Sequence, residues 1–332
     1  MVSAPNRRLD LDRAKGMAIL FVVFGHIVAR ADPQNVFWYE PVRRAIYTFH
    51  MPFFLYLSGI AAAFSGALFL PPEKWPALAR SRCRRLLVPF LLLGTAIVLG
   101  KCLAARFIFV DNRPAGVAPG LENLFWHTAK SPAISVWYLF VLFVLSVVAP
   151  VLVRAGHGGM RWLLAFMLLL YFLPLPQYVY LDHISRYAVY FAIGAYAGSR
   201  DTGWTRFVDR SWHPCLAVFA AALAGVACFG AGVPEKIFLL PIGLISLPAL
   251  HGLVRNAALA SAPVFLWLGR NSFMIYLFNT ICIGLVKGVL LRVTSWDGSH
   301  FLPFAVVLML SGCLGPILLR RAVFQPIGLS MR

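Results

Sequence analysis

The chain has 332 residues, of which 60% are hydrophobic and 13% charged, and its mean hydropathy is +0.78. Those values exclude an ordinary soluble domain and point to a polytopic membrane protein. The formal charge of +18 comes from basic residues that punctuate apolar runs instead of forming a patch interleaved with aromatics. That pattern argues against a nucleic-acid partner and for positive-inside orientation in a membrane.

Hydropathy and helix breakers divide the chain into about ten spans, near 16–31, 44–69, 86–105, 137–153, 161–175, 184–199, 213–232, 236–253, 264–290 and 302–319. A cytoplasmic N-terminus gathers most of the Lys and Arg inside, among them Arg7, Arg13, Lys74, Arg84, Arg154, Arg206, Arg255, Arg320 and Arg332. The expected fold is all-α: a polytopic transmembrane helical bundle of about ten spans with cytoplasmic N- and C-termini. A single integral-membrane domain over residues 1–332 is expected to carry the whole activity, since no internal repeat is visible. The six cysteines lack metal-ligand spacing, so free thiols and no metal are expected. The longest connection, residues 107–136, is rich in Pro and Gly and contains Phe125-Trp126. It suits an extracytoplasmic lid or an interfacial segment, and equally a plain connector.

The first span carries the most informative stretch, LDRAKGMAILFVVFGH at 11–26. Lys15 and His26 are eleven residues apart, which at about 100° per residue puts them on one helix face. The rise of about 1.5 Å per residue sets the imidazole roughly 16 Å deeper, near the middle of the hydrocarbon core. Asp12 lies one turn before Lys15 and is placed to pair with it. An ionisable group at that depth faces a polar cavity or a partner, so His26 is a site candidate. Two other readings stand beside this one: a histidine merely hydrogen-bonded in the bundle, and a secretory signal peptide ending at Ala29-Arg30-Ala31.

The second span contains FHMPFFLYLSG at 49–59, with His50 toward the outer end and Ser58-Gly59 near mid-membrane, where small residues permit close helix approach. The third is entered through RSRCRRLLVPF at 80–90. Arg82 and Arg85 share a face there, at about the depth of Lys15; they suit a phosphate clamp, or a topology signal touching anionic lipid. VWYL at 136–139 puts Trp137 where a belt aromatic or a substrate contact would sit. The ninth span, FLWLGRNSFMIYLFNT at 265–280, sets Asn271, Tyr276 and Asn279 among apolar residues. Its amides must either join neighbouring helices or face a shared cavity, because unpaired amides in hydrocarbon are costly.

In order along the chain, DRAKG at 12–16 with GH at 25–26, FHMPFFLYLSG, RCRRLLVPF at 82–90, VWYL and LGRNSFMIYLFN at 268–279 resemble the integral-membrane acyltransferase 3 family. That family acylates sugars and other hydroxyl-bearing acceptors, often in bacterial surface polysaccharides. The resemblance implies a multi-pass protein of the bacterial inner membrane that transfers an acyl group, commonly acetyl from acetyl-coenzyme A, with the first-span histidine essential. Many members carry arginine where this chain has Lys15, whereas fucose acetylases resemble it in having lysine. Many also end the ninth-span motif in histidine, where this chain has Asn279, and an amide cannot act as a base. No SGNH-type hydrolase domain is expected after the bundle.

The resulting expectation is an O-acyltransferase acting on a sugar or glycan hydroxyl. His26 serves as general base, with Lys15 and Asp12 beside it in the catalytic set. Lys15, Arg82 and Arg85 hold the coenzyme A phosphates. His50, Ser58, Trp137, Asn271, Tyr276 and Asn279 are the expected substrate-binding residues. A transporter or flippase with a polar central pathway is the alternative, although none of the 12 Asp and Glu falls deep within a span.

Overall fold

Hydrocarbon offers no water to backbone N–H and C=O groups, so a chain this apolar satisfies them within helices. The computed structural model describes residues 8–324 apart from 29–34, 157–158, 231–234, 257–258 and 260. The Ala29-Arg30-Ala31 triplet, Arg7 and Arg332 lie outside the described residues. In chain order the helices are α1 (Leu9–Gly25), α2 (Tyr39–Tyr47), α3 (His50–Phe64), α4 (Trp75–Arg82), α5 (Val88–Ala104), α6 (Val117–Phe125) and α7 (Trp137–Ala155). They continue as α8 (Met160–Phe172), α9 (Leu181–Ser199), α10 (Asp201–Phe229), α11 (Glu235–Arg255), α12 (Pro263–Leu290) and α13 (Phe301–Leu319).

The fold is all-α, and 7 helical stretches among the described residues are long and apolar enough to cross a membrane. Each expected span meets a helix, but α1 has only 17 residues and α8 only 13. The polar start of α9, with Asp182, His183 and Arg186, keeps that helix out of the seven although it has 19 residues. Several boundaries differ from the sequence expectation. The first helix begins at Leu9 and stops at Gly25 instead of running on to residue 31. The second breaks at Thr48, whose hydroxyl bonds back to the Ala45 carbonyl at 2.6 Å and closes α2. The third starts within α4 and passes through a π-helical turn, Cys83–Leu87, before α5. Pro89 has no N–H for the carbonyl one turn back, which explains a turn of that kind there.

Glycines set the closest crossings. A Cβ at Gly16 would overlap the Phe265 carbonyl, and one at Gly269 would overlap the Asp12 carbonyl, so α1 and α12 lie backbone to backbone. Gly16 meets Gly269 and His26 meets Asn279, pairs with the same sequence offset, so the two helices run parallel. Gly59 and Gly194 bring α3 and α9 together in the same way, with Gly198 against Ile60. Large apolar side chains such as Leu92, Leu169, Phe229 and Leu318 point outward, as a lipid-facing surface requires.

At the Leu9 end of α1 an ion network ties distant elements together. Asp10 accepts from Arg8 at 2.7 Å and Arg255 at 3.1 Å. Arg8 also reaches Asp201 at 2.6 Å, and Arg255 reaches Asp209 at 2.7 Å. Buried His251 lies 3.4 Å from Asp10 and, through its other ring nitrogen, 2.7 Å from the Tyr56 hydroxyl, which takes the indole N–H of Trp204.

Candidate active site

Every helix end leaves backbone carbonyls without partners. At the end of α1 those carbonyls are capped by tyrosines of α2: Tyr39 donates to Phe24 O at 2.7 Å and Tyr47 to Gly25 O at 3.1 Å. The Tyr47 ring sits so close that a Cβ at residue 25 would fall 2.9 Å from its Cε2, which is why glycine precedes the histidine. The helix therefore stops at a defined place, and His26 is its C-terminal cap.

The orientation of His26 is set by Asn279 on α12. The Asn279 Nδ2 lies 2.8 Å from the Ile275 carbonyl and 2.9 Å from that of Tyr276. Only the NH2 group can face two carbonyls, so Oδ1 is turned to His26 Nδ1, 2.7 Å away. An amide oxygen accepts, and Nδ1 must therefore carry the proton, leaving Nε2 as the nitrogen with a lone pair. His50 is fixed likewise: its Nδ1 donates to the Ile46 carbonyl at 2.9 Å, and its ring packs edge-on against Tyr47 at 4.8 Å between centroids.

His26 and His50 both line a cavity of about 480 Å³, a size suited to a small-molecule site. It lies at the end of the bundle where α1, α5 and α12 finish and where α3, α7 and α9 begin. Of the residues expected from sequence, Trp137 and Tyr276 share this cavity, and Asn279 backs His26 from behind. Tyr276 is pinned by its hydroxyl to the Ser135 carbonyl at 2.6 Å.

Other expected residues stand elsewhere. Ser58 does not line the cavity; it joins α3 to α7 through the Tyr138 hydroxyl at 2.7 Å. Asn271 bonds the Trp267 carbonyl and faces Arg320 at 3.4 Å. The two amides of α12 thus serve opposite ends, separated by about 12 Å of helix rise, and share no cavity. Asp12, Lys15, Arg82 and Arg85 also lie outside the cavity lining, toward the far end of α1 and ahead of α5. Asp12 is buried and Lys15 half-buried. The Nε atoms of Arg82 and Arg13 are buried without hydrogen-bond partners among the described residues.

Sequence reasoning missed a second set of lining residues: Lys101, Asp111, His183, Arg186, Tyr187 and Lys287. Lys101 and Lys287 each interrupt an apolar run, and that was the available signal. Lys101 Nζ holds the Asp111 carbonyl at 2.9 Å and the Pro132 carbonyl at 2.8 Å, drawing both ends of the long connection over the cavity. Asn112, at a positive φ of 53° that asparagine tolerates, donates to the Ser131 carbonyl at 2.7 Å. Lys287 pairs with Asp111 Oδ2 at 2.7 Å and lies over the Trp296 ring at 4.8 Å. Among the described residues, no group of three or more His, Cys, Asp or Glu is placed to hold a metal ion.

The chain is similar to the nodulation protein NolL of Sinorhizobium fredii (strain NBRC 101917 / NGR234), with 31% identity over 163 residues, 48% of this chain and 40% of that protein. It is also similar to the NolL of Mesorhizobium japonicum (strain LMG 29417 / CECT 9101 / MAFF 303099), with 36% identity over 94 residues, 28% of this chain and 24% of the relative. The matches thus span less than half the length of either relative. No solved structure matches. The family model of the acyltransferase 3 family, described as an acyltransferase domain, matches residues 8–321, and the chain belongs to that family.

Proposed function

We propose that this protein is an O-acyltransferase of the bacterial inner membrane that moves an acetyl group from acetyl-coenzyme A to a hydroxyl of a sugar or glycan. The observation that carries the reading is the fixed tautomer of His26, which keeps a basic Nε2 in a cavity of small-molecule size. A sugar hydroxyl is a weak nucleophile at neutral pH. Nε2 takes its proton as the oxygen attacks the thioester carbonyl, the C–S bond breaks, and the imidazolium returns the proton to the departing thiolate. Tyr276 and His50 flank the reacting groups. Because the Tyr276 hydroxyl is spent on Ser135, this tyrosine shapes the wall and is not a proton donor.

The donor's phosphates belong at the other end of the bundle, with Lys15, Arg82 and Arg85. The Nε of half-buried Arg82, buried and unpartnered among the described residues, supports this, since such a donor suits an anion. The pantetheine arm then spans the roughly 16 Å of helix rise between Lys15 and His26. Asp12 helps position Lys15.

Calorimetry of coenzyme A and acetyl-coenzyme A with purified protein tests the reading. His26→Ala should bind both ligands as the parent does and lose transfer. Arg82→Ala/Arg85→Ala should weaken binding by roughly tenfold or more, as expected for charge-assisted bonds. A folded parent protein that binds neither ligand refutes the donor assignment and leaves a transport pathway as the better account.

A further inference from the structure

Asp111 is held on every side but one. Its backbone carbonyl accepts from Lys101 at 2.9 Å and its Oδ2 from Lys287 at 2.7 Å. The other carboxylate oxygen, Oδ1, is buried and has no hydrogen-bond partner among the described residues, in a side chain that lines the cavity. A buried carboxylate oxygen left unpaired is costly, so a site that keeps one in a fixed place is suited to a ligand that brings donors. Lys101 is committed to two carbonyls, and Lys287 to Asp111 and the Trp296 ring. The buried acceptor left over from these contacts is Asp111 Oδ1.

An aromatic wall completes the site. Trp137 and Tyr187 both line the cavity and stack on one another, with centroids 4.9 Å apart and planes 26° from parallel. His183, held by Asp182 at 2.8 Å, lies against Trp137 at 4.6 Å. Aromatic rings give large apolar contact at low entropic cost, and the C–H face of a pyranose is the part of a sugar that uses it.

We infer that the cavity beside His26 is an acceptor subsite for a neutral pyranose, whose hydroxyls donate to Asp111 Oδ1 while its apolar face rests against Trp137, which Tyr187 backs by stacking. The inference deepens the proposed acyl transfer by naming the class of acceptor and the residues that select it. Arg186, on the same wall, adds positive charge. An anionic sugar therefore belongs in the test.

Saturation-transfer NMR on the purified full chain, without any acyl donor, reads the subsite directly. The probes are methyl β-glucopyranoside, methyl β-galactopyranoside and methyl β-glucopyranosiduronate. At least one neutral glycoside should show saturation at its ring C–H protons. Asp111→Asn and Trp137→Ala should each weaken that binding by roughly tenfold, the order expected for losing a buried hydrogen bond or a stacking face. Because Asp111→Asn strands the charge of Lys287, the double variant Asp111→Asn/Lys287→Met is run beside it; it should melt near the parent and still bind weakly. Absence of saturation from both neutral glycosides in the folded parent, parent-like binding by the Asp111 and Trp137 variants, or tighter binding of the uronide overturns the inference. Failure of the donor assignment appears separately, as absent coenzyme A binding, and leaves this result standing.

Discussion

Asn279 stands where many members of the family carry histidine, and its role follows from the bonds around it. The contact with His26 Nδ1 is 2.7 Å long, and Asn279 is fully buried. Truncation to alanine strands the Nδ1–H of His26 in a water-poor setting, which costs about 1–3 kcal/mol. If that cost falls on the geometry needed in the transition state, kcat/KM drops by roughly 5- to 150-fold. Asn279→Leu fills the volume without an acceptor and should lose as much as Asn279→Ala. Asn279→Asp keeps an acceptor oxygen for the Nδ1–H but sets its second oxygen against the Ile275 and Tyr276 carbonyls, so it should recover part, and not all, of the rate lost in Asn279→Leu. The KM for acetyl-coenzyme A should not move in any of them, because the proposed site for the donor's phosphates, at Lys15, Arg82 and Arg85, stands at the other end of the bundle. The assay is acetyl transfer to an acceptor glycoside, with thermal melting to show that each variant folds. Parent-like kcat in folded Asn279→Ala, or equal loss in Asn279→Asp and Asn279→Leu, refutes the reasoning.

Three further outcomes follow from the packing. Gly269→Leu drives a side chain into the Asp12 carbonyl and should destabilise the α1–α12 pair by about 3 kcal/mol, seen as a lower melting temperature and lost transfer. Tyr39→Phe removes the cap on the Phe24 carbonyl and the acceptor for the Val28 N–H, and should cost about 1–2 kcal/mol in a denaturation series. Asp10→Asn weakens contacts with Arg8, Arg255 and His251 together and should cost about 1–3 kcal/mol, whereas Asp201→Asn, at a more exposed pair, should cost under about 1 kcal/mol. Equal melting temperatures for these last two variants would contradict the network.

The helices were legible in the sequence because hydropathy and breakers are local signals. The residues around His26 were legible in part, for reasons specific to each. His26, His50, Trp137 and Tyr276 stood out as polar or aromatic residues in apolar runs, and the structure gathers them at one cavity. Asn271 and Asn279 carried the same signal but separate, since helix rise and not angular position decides which end a residue serves. Tyr39 and Tyr47 gave no signal at all: a hydroxyl that caps another helix depends on how α2 packs against the end of α1, which no periodicity encodes. Asp10 and Asp209 escaped for the same reason, because their common partner Arg255 is brought to them only by α11 packing near α1. Asp111 lay in the Pro- and Gly-rich connection, where composition suggests a loop and conceals a fixed carboxylate.

The parallel pair of α1 and α12 acts as a ruler between the two ends of the proposed reaction. Gly16 against Gly269 fixes its lower point and His26 against Asn279 its upper one, so no freedom of register remains between them. A single alanine inserted between Ile19 and Leu20 keeps the helix and its hydropathy but turns everything beyond it by about 100° and raises it by about 1.5 Å. His26 then points away from Asn279 and out of the cavity, while Lys15 and the arginine turn at 82–85 are untouched. The insertion should therefore abolish transfer and leave coenzyme A binding near the parent value. Replacing Leu20 with alanine at constant length removes apolar bulk at the same place and should spare the rate within a few fold, since it changes neither rotation nor rise. A transfer rate unaffected by the insertion would mean that His26 acts without Asn279 behind it, and the fixed tautomer would lose its place in the mechanism.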